Sequence, residues 1–274
     1  MITEHHEIVL CAKNLSKHYV QRRPLTRTKF TVQAFQDVNL SIHRGTTLAI
    51  VGESGAGKSS LARCLALLEA PTQGEIWCDE QNLLTLSKNE LFSIRRQIQF
   101  VFQDSTSALN PRFSAGDIIA EPLLIQRLGT NALRRERARG LMEQVGLPPE
   151  WDQKSPLEFS GGQRQRLAIA RALALEPKLL IFDEILSNLD LANQEIILQL
   201  LSDLQKAQSL TYIHICHDLH IVSRIADEVA VMHTGRIVEQ KPAAELFANP
   251  ADPHTQELFE AMPSLEMIAA GRST

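Results

Sequence analysis

The sequence predicts an α/β protein with a mixed, mainly parallel core sheet, an antiparallel β subdomain and a helical subdomain. Three short apolar runs, at residues 46–51, 178–182 and 210–216, have the length and composition of buried strands. The first run leads through a glycine-rich turn into helical spacing over residues 59–68. The pattern becomes mainly helical between residues 104 and 175, which predicts a helical insertion.

A second sheet is expected from segments that mix β-forming and polar residues, as a sheet with one wet face does. These segments are residues 7–12, 30–42 and 75–79. Polar residues follow the core strands: Asp183 and Glu184 come after the second, and His217 after the third. Ligands bind at the carboxyl edge of open parallel sheets, so this edge is the candidate site.

Composition excludes several classes of protein. The chain has 44% hydrophobic residues and a net charge of −4, so no basic field indicates binding to nucleic acid. Its longest apolar runs are far shorter than the roughly 18 to 20 residues that cross a bilayer. The polar N-terminus lacks the pattern of a secretory signal, so we expect a cytosolic chain.

Cysteine and histidine spacing gives no metal motif. The four cysteines form no C-x-x-C pair, which favours reduced, buried thiols over disulfides or a zinc cluster. His214, His217 and His220 are spaced by three, and an extended strand turns such residues to opposite faces. A metal shared by these histidines is therefore not expected.

Residues 52–59 match the phosphate-binding loop, G-x-x-x-x-G-K-[ST], between a strand and a helix as its mechanism requires. Glycines let backbone N–H groups wrap the phosphates, and the helix adds its positive dipole end. Lys58 can reach the β and γ phosphates, and the Ser59 hydroxyl can ligate Mg²⁺. The expected ATP contacts are Gly52, Glu53, Ser54, Gly55, Ala56, Gly57, Lys58, Ser59 and Ser60.

The second core strand ends in two carboxylates, Asp183 and Glu184. A solvated strand end would explain them by itself, but beside a phosphate loop the functional interpretation is favoured. Asp183 is expected to hold Mg²⁺ through its water shell, together with Ser59. Glu184 is expected to orient and polarise the water that attacks ATP.

Residues 159–163, Phe-Ser-Gly-Gly-Gln, carry a third motif, which resembles the LSGGQ signature of the ABC ATPase family. Ser160, Gly161, Gly162 and Gln163 open a helix whose N–H groups can receive a γ-phosphate. Phe159 replaces the usual leucine, an apolar exchange from which we expect no loss of function. In the family this phosphate belongs to the ATP of the opposite subunit, so the resemblance implies a head-to-tail dimer with two shared sites.

The other family positions follow in their usual order. Tyr19 resembles the aromatic residue that stacks on adenine, although packing is an alternative role. Gln103 resembles the glutamine that senses Mg²⁺ and couples to the membrane subunit. Asp190 ends Ser-Asn-Leu-Asp, which is similar to the SALD of the D-loop, and His217 resembles the switch histidine at the γ-phosphate.

Two sites depart from the family pattern. Residues 185–186 are Ile-Leu where Pro-Thr is usual, and Cys216 replaces the common threonine before the histidine. We expect the first departure to alter loop stiffness without removing a reacting group.

Residues 99–112 and, more weakly, 249–263 resemble the dipeptide, oligopeptide and nickel importers. This resemblance implies an ATPase domain over residues 1–234, with helices at about 104–175, and a C-terminal appendage over 235–274. It also implies uptake of peptides, or of nickel or metal chelates, with two membrane permease subunits, a second, non-identical ATPase and an external solute-binding protein. The expected location is peripheral, on the cytoplasmic face of the cell membrane.

Two other functions remain open at this point. A non-transport ABC ATPase would need the same motifs, but such proteins tend to carry long coiled-coil or DNA-binding insertions, and no heptad array appears here. A module that holds nucleotide without turnover would not need Glu184 and His217, which are both present.

Overall fold

The computed structural model describes residues 7–22, 29–104 and 108–260. The described residues divide into two compact units. Residues up to 91 and from 211 onward form one, here called the P-loop unit, and residues 92–210 form the other, here called the helical unit. None of the helices in the described ranges combines the length and the apolarity that a bilayer crossing requires.

The strands, in chain order, are β1 (Ile8–Arg22), β2 (Lys29–His43), β3 (Thr47–Val51), β4 (Gln73–Cys78), β5 (Gln81–Asn82), β6 (Ile98–Val101), β7 (Leu179–Asp183), β8 (Thr211–Ile215), β9 (Glu228–His233) and β10 (Arg236–Pro242). The helices are α1 (Lys58–Leu65), α2 (Lys88–Ile94), α3 (Ala115–Ile125), α4 (Asn131–Gln144), α5 (Gly161–Leu173), α6 (Leu191–Gln208), α7 (Leu219–Ile225), α8 (Ala243–Ala248) and α9 (Pro253–Glu260). Single 3₁₀ turns cover Leu83–Thr85, Pro149–Trp151 and Pro156–Glu158.

An antiparallel sheet in the order β2-β1-β4-β5 lies within the P-loop unit. Val38, Leu40 and Ile42 alternate with more exposed residues along β2. Such alternation buries one face of a sheet and leaves the other in water. The predicted antiparallel subdomain is therefore confirmed.

The core strands of the P-loop unit run in the order β10-β9-β3-β8. Strand β3 pairs in parallel with β8 and with β9, and β10 returns antiparallel to β9. All residues of β3 and β8 are buried, as expected for strands covered on both faces. The tail predicted from residue 235 thus includes β10, α8 and α9, while residues 261–274 lie outside the described residues.

The helical unit contains the parallel pair β6 and β7 and the helices α3 to α6. Each of these four helices begins at a residue whose side-chain oxygen accepts a backbone N–H of the first turn. The capping residues are Ser114, Thr130, Ser160 and Asp190. Because Ser160 caps α5, this helix begins at Gly161, within the signature residues that are expected to open it.

Candidate nucleotide site

The phosphate-binding loop joins the buried strand β3 to helix α1 in the P-loop unit. Gly52 and Gly57 adopt φ angles of 145° and 101°, which side chains with a Cβ rarely adopt. A Cβ on Gly52 would also collide with the carbonyl oxygen of Met232, and one on Gly57 with that of Ala34. Glycine is therefore required at both positions, by conformation and by the close approach of the backbone.

Lys58 places its ammonium group inside this loop. The side chain is buried, and Nζ donates to the carbonyl oxygens of Gly52 at 2.7 Å and Glu53 at 2.8 Å. A buried ammonium held by neutral carbonyls is well suited to an anion, because a phosphate oxygen is a stronger acceptor. Ser59 follows as the second residue of α1, and the N-terminus of this helix adds positive potential.

His217 leaves the sheet beside this loop. Ile50 of β3 pairs with Ile215 of β8, and the Cys216 N–H donates to the Ile50 carbonyl at 3.2 Å. Because the strands are parallel, Gly52 and His217 each emerge two residues beyond the paired positions, at the same edge. His217 is exposed there.

In contrast to His217, the neighbouring residues Cys216 and His214 are buried. Cys216 is buried, and its thiol donates to the Asp218 carbonyl at 3.4 Å. His214 lies within β8, where burial lowers its pKa to about 3. All four cysteines lie in the described part of the chain and are free thiols. Cys64, Cys78 and Cys216 are buried as predicted, whereas Cys11 is only half-buried.

Tyr19 is tied to the helix that follows the loop. Its hydroxyl lies 2.6 Å from Glu69 Oε2 and 3.3 Å from Ser60 Oγ. Burial and then the hydrogen bond with Glu69 raise the pKa of this phenol. The Lys17 ammonium lies 5.0 Å from the centroid of the Tyr19 ring. Stacking on adenine remains a prediction, and it would use the ring face that Lys17 does not cover.

In the helical unit the structure brings together Gln103 and Glu184. Val101 at the end of β6 pairs with Phe182 of β7, so the residues that follow leave the two strands side by side. Gln103 Nε2 donates to Glu184 Oε2 at 2.9 Å. Glu184 has a left-handed φ of 48°, which costs a non-glycine residue about 1–2 kcal/mol. Such strain is concentrated at functional sites.

Asp183 precedes Glu184 as the last residue of β7 and is buried. Ile185 and Leu186 follow and are buried as well. Two apolar residues thus pack into the core where the family usually has Pro-Thr. The amide of Gln194 donates to the Leu186 carbonyl at 3.0 Å and steadies this loop from α6.

The signature residues form the first turn of α5. Ser160 Oγ accepts the N–H of Gln163 at 3.3 Å, and Gln163 Oε1 accepts the N–H of Ser160 at 2.9 Å. This reciprocal pair is a capping box, and it leaves the first-turn N–H groups of Gly161 and Gly162 without an intrahelical acceptor. Phe159 is buried edge-on against Trp151, which accounts for an apolar residue at this position.

Asn193 is a site residue that sequence spacing did not reveal. A Cβ on Gly162 would collide with Asn193 Oδ1, so α5 and α6 approach closely at this glycine. Asn193 also donates to both carboxylate oxygens of Asp190, through its backbone N–H and its side-chain amide, each at 2.8 Å. These bonds lower the pKa of Asp190. The signature helix and the D-loop are thus joined through one asparagine.

The predicted residues therefore form two groups. In the P-loop unit, residues 52–60 lie with His217 at one sheet edge and with Tyr19 against α1. In the helical unit, Gln103 contacts Glu184 beside Asp183, and the signature residues contact the start of α6.

Comparison with known proteins identifies the family. The model of the family described as ABC transporter matches residues 35–187, more than half of the chain. The chain belongs to the ABC transporter family. It is 45% identical to the di/tripeptide transport ATP-binding protein DppF of Pseudomonas aeruginosa over 259 residues, covering 94% of this chain and 80% of that protein. It is 44% identical to the dipeptide transport ATP-binding protein DppF of Escherichia coli, covering 94% and 77%.

Solved ABC cassettes have the same fold. The dimeric, post-hydrolysis structure of MJ0796 bound to ADP and Pi matches with a TM-score of 0.75 at 31% identity, covering 85% of this chain and 98% of that one. The cassette cbiO1 of Clostridium perfringens also matches with a TM-score of 0.75, at 28% identity, covering 98% and 100%. The predicted fold class and family resemblance are confirmed.

Proposed function

We propose that this cassette is the ATP-binding and ATP-hydrolysing subunit of an ABC importer, and that the solute is a short peptide. The proposal rests on two separate features of the chain, each of which could receive a phosphate. One is the loop around Lys58, and the other is the N-terminus of α5 at Ser160. Relatives that share 43–46% of their residues with this chain are named as peptide transport proteins, which favours peptides over nickel chelates.

ATP binding is assigned to the P-loop. Phosphate oxygens would accept the backbone N–H groups of residues 52–60 and the Lys58 ammonium, which exchanges its two carbonyl acceptors for phosphate. Tyr19 would support the adenine. Ser59 and Asp183 supply a hydroxyl and a carboxylate, the oxygen ligands that Mg²⁺ prefers, and Gln103 would respond to the ion.

Hydrolysis is assigned to Glu184 and His217. The carboxylate of Glu184 would orient and polarise the attacking water, and the Gln103 amide, which donates to it at 2.9 Å, would hold this carboxylate in place. His217 would donate to the γ-phosphate from the carboxyl edge of β8. The N–H groups at Gly161 and Gly162 would receive the ATP of a second subunit, which makes the active form a dimer.

Coupling is assigned to Gln103 and to exposed apolar residues of the same helical unit. Phe102 and Phe113 are about 40% exposed, and Leu124 and Ile125 more so. Burial of such side chains against permease subunits would be favourable.

We expect two permeases, a second ATPase, indirect contact with an external binding protein, and a location at the cytoplasmic face of the cell membrane. Of the two segments that suggest the unlike ATPase pair, residues 105–107 and 261–263 lie outside the described residues.

The test is purification of the tagged chain from its native host in mild detergent, with partners identified by mass spectrometry. We expect to recover two integral membrane subunits and a second ATPase. In a separate uptake assay, cells that carry only the Lys58→Ala form should not take up a labelled dipeptide. Recovery with soluble or DNA-bound proteins alone would support the non-transport alternative. Recovery of permeases without a second ATPase would support the importer function and contradict the pairing with a non-identical ATPase.

A further inference from the structure

We propose that Glu53, His233 and His254 form a binding site for a divalent transition-metal ion of the Zn²⁺ type, separate from the Mg²⁺ that accompanies ATP. One carboxylate oxygen and one nitrogen from each imidazole lie within 4.8 Å of one another. All three residues belong to the P-loop unit. Nothing in the ABC motifs requires histidine at either position.

Parallel strand pairing brings the first two ligands together. Val51, at the end of β3, pairs with Val231 of β9, and Glu53 and His233 each stand two residues farther on. The close contact of Gly52 with the Met232 carbonyl brings the two chain segments together at this point. Glu53 is exposed, so its carboxylate has the rotational freedom to close on an ion.

The third ligand comes from the C-terminal segment. His254 lies in the first turn of α9, and its ring stacks on His233 with centroids 3.6 Å apart. The segment before it is fixed, because Glu239 of β10 accepts the backbone N–H groups of Ala251 at 2.9 Å and Asp252 at 3.1 Å. The His254 imidazole is thus held against His233 by its own helix and by β10.

His254 also carries an unused ligand atom. Its side chain is only 14% exposed, and Nε2 is buried with no hydrogen-bond partner among the described residues. Buried polar atoms are normally satisfied, so an orphaned imidazole nitrogen needs an explanation, and a metal ion provides one. The other ring nitrogen, Nδ1, faces the Glu257 carboxylate at 3.8 Å, the kind of outer partner that orients a metal-bound histidine.

The donor set selects the class of ion. Two imidazoles and one carboxylate suit Zn²⁺ and its neighbours, whereas Mg²⁺ and Ca²⁺ prefer oxygen ligands alone. Metal–nitrogen bonds of about 2.0–2.1 Å in a tetrahedron place ligand atoms about 3.3 Å apart. Closing from the observed separation of up to 4.8 Å to this spacing would require rotation of the Glu53 and His233 side chains. With three protein ligands, the fourth position would hold water.

The consequence is a link between the nucleotide loop and the tail. Glu53 is the second residue of the P-loop, and its carbonyl accepts the Lys58 ammonium at 2.8 Å. An ion on the Glu53 carboxylate would therefore join this loop to β9 and α9.

The test is titration of the tag-free, chelator-treated and reduced full chain with Zn²⁺ by calorimetry, and with Co²⁺ by its visible absorption. His5 and His6, which are consecutive in the sequence, are first replaced by alanine because they offer a second pair of imidazoles. We expect one ion per chain and a higher melting temperature with Zn²⁺. Glu53→Gln, His233→Gln and His254→Ala should each weaken binding at least about tenfold.

His220→Ala is the matched control, because His220 lies in the same unit and only its backbone makes the hydrogen bonds shown here. It should bind as the parent does. Glu53→Gln changes an exposed side chain and keeps the inference testable if a histidine variant misfolds. Absence of stoichiometric binding, or Glu53→Gln and His233→Gln variants with parental affinity, would overturn the proposal. Loss of binding on Cys11→Ser would overturn it too, by assigning the ion to a thiol.

Discussion

Glu239 anchors the C-terminal segment, and its replacement by glutamine should destabilise the protein in a pH-dependent way. The side chain is 6% exposed. Burial acts to raise its pKa, but hydrogen bonds from Lys241 and from the backbone at Ala251 and Asp252 outweigh burial and lower the pKa from 4.5 to about 2. At about 1.4 kcal/mol for each pH unit, this difference corresponds to about 3 kcal/mol of stability.

The direction follows from the lowered pKa. The contribution is fully present above about pH 4.5, where the unfolded chain is ionised, and is lost as the pH falls toward about 2. Urea unfolding followed by tryptophan fluorescence should show that Glu239→Gln loses up to about 3 kcal/mol at neutral pH, and less than half of that near pH 3.

Glu245→Gln is the matched control, because Glu245 also lies near Lys241, at 3.9 Å, but has a side chain that is 60% exposed. It should change the free energy of unfolding by less than about 0.5 kcal/mol. Equal stability of the two variants at neutral pH, or a loss in Glu239→Gln that is the same at pH 7 and pH 3, would show that the ionised Glu239 carboxylate does not stabilise the fold.

Two further predictions concern the two phosphate sites. Lys58→Ala should abolish ATP binding in a calorimetric titration while the circular dichroism stays that of a folded protein, and wild-type turnover by this variant would contradict the assignment. Gly162→Ala should lower the free energy of unfolding by about 1–3 kcal/mol, because the new Cβ displaces Asn193. Adding Asn193→Ala should recover part of this loss, and a double variant less stable than the single one would rule out the contact.

The sequence predicted the core strands and the antiparallel sheet, because period-two alternation and buried apolar runs are local signals. The glycine loop of residues 52–59 also lies between a strand and a helix, as its motif predicts. The start of α5 at the signature residues is also a local signal, because Ser160 satisfies an N–H in the first turn.

Other features depend on contacts between distant parts of the chain. Asn193 meets Gly162 only because α5 and α6 pack closely, and no spacing rule relates residues 31 apart. His233 and His254 come together through a strand pairing and the Glu239 anchor. Of the three histidines spaced by three residues, 214, 217 and 220, His214 is buried in β8.

The assignment of hydrolysis to Glu184 is tested most directly by Glu184→Gln, measured for ATP affinity and for turnover in the same preparation. We expect hydrolysis to be slowed by about 10²–10⁴-fold with ATP affinity largely unchanged, because this residue polarises water and does not hold phosphate. Glu176→Gln, at a carboxylate that is 76% exposed, should behave as wild type. Full turnover by a folded Glu184→Gln protein, or loss of ATP binding together with turnover, would contradict this role of Glu184.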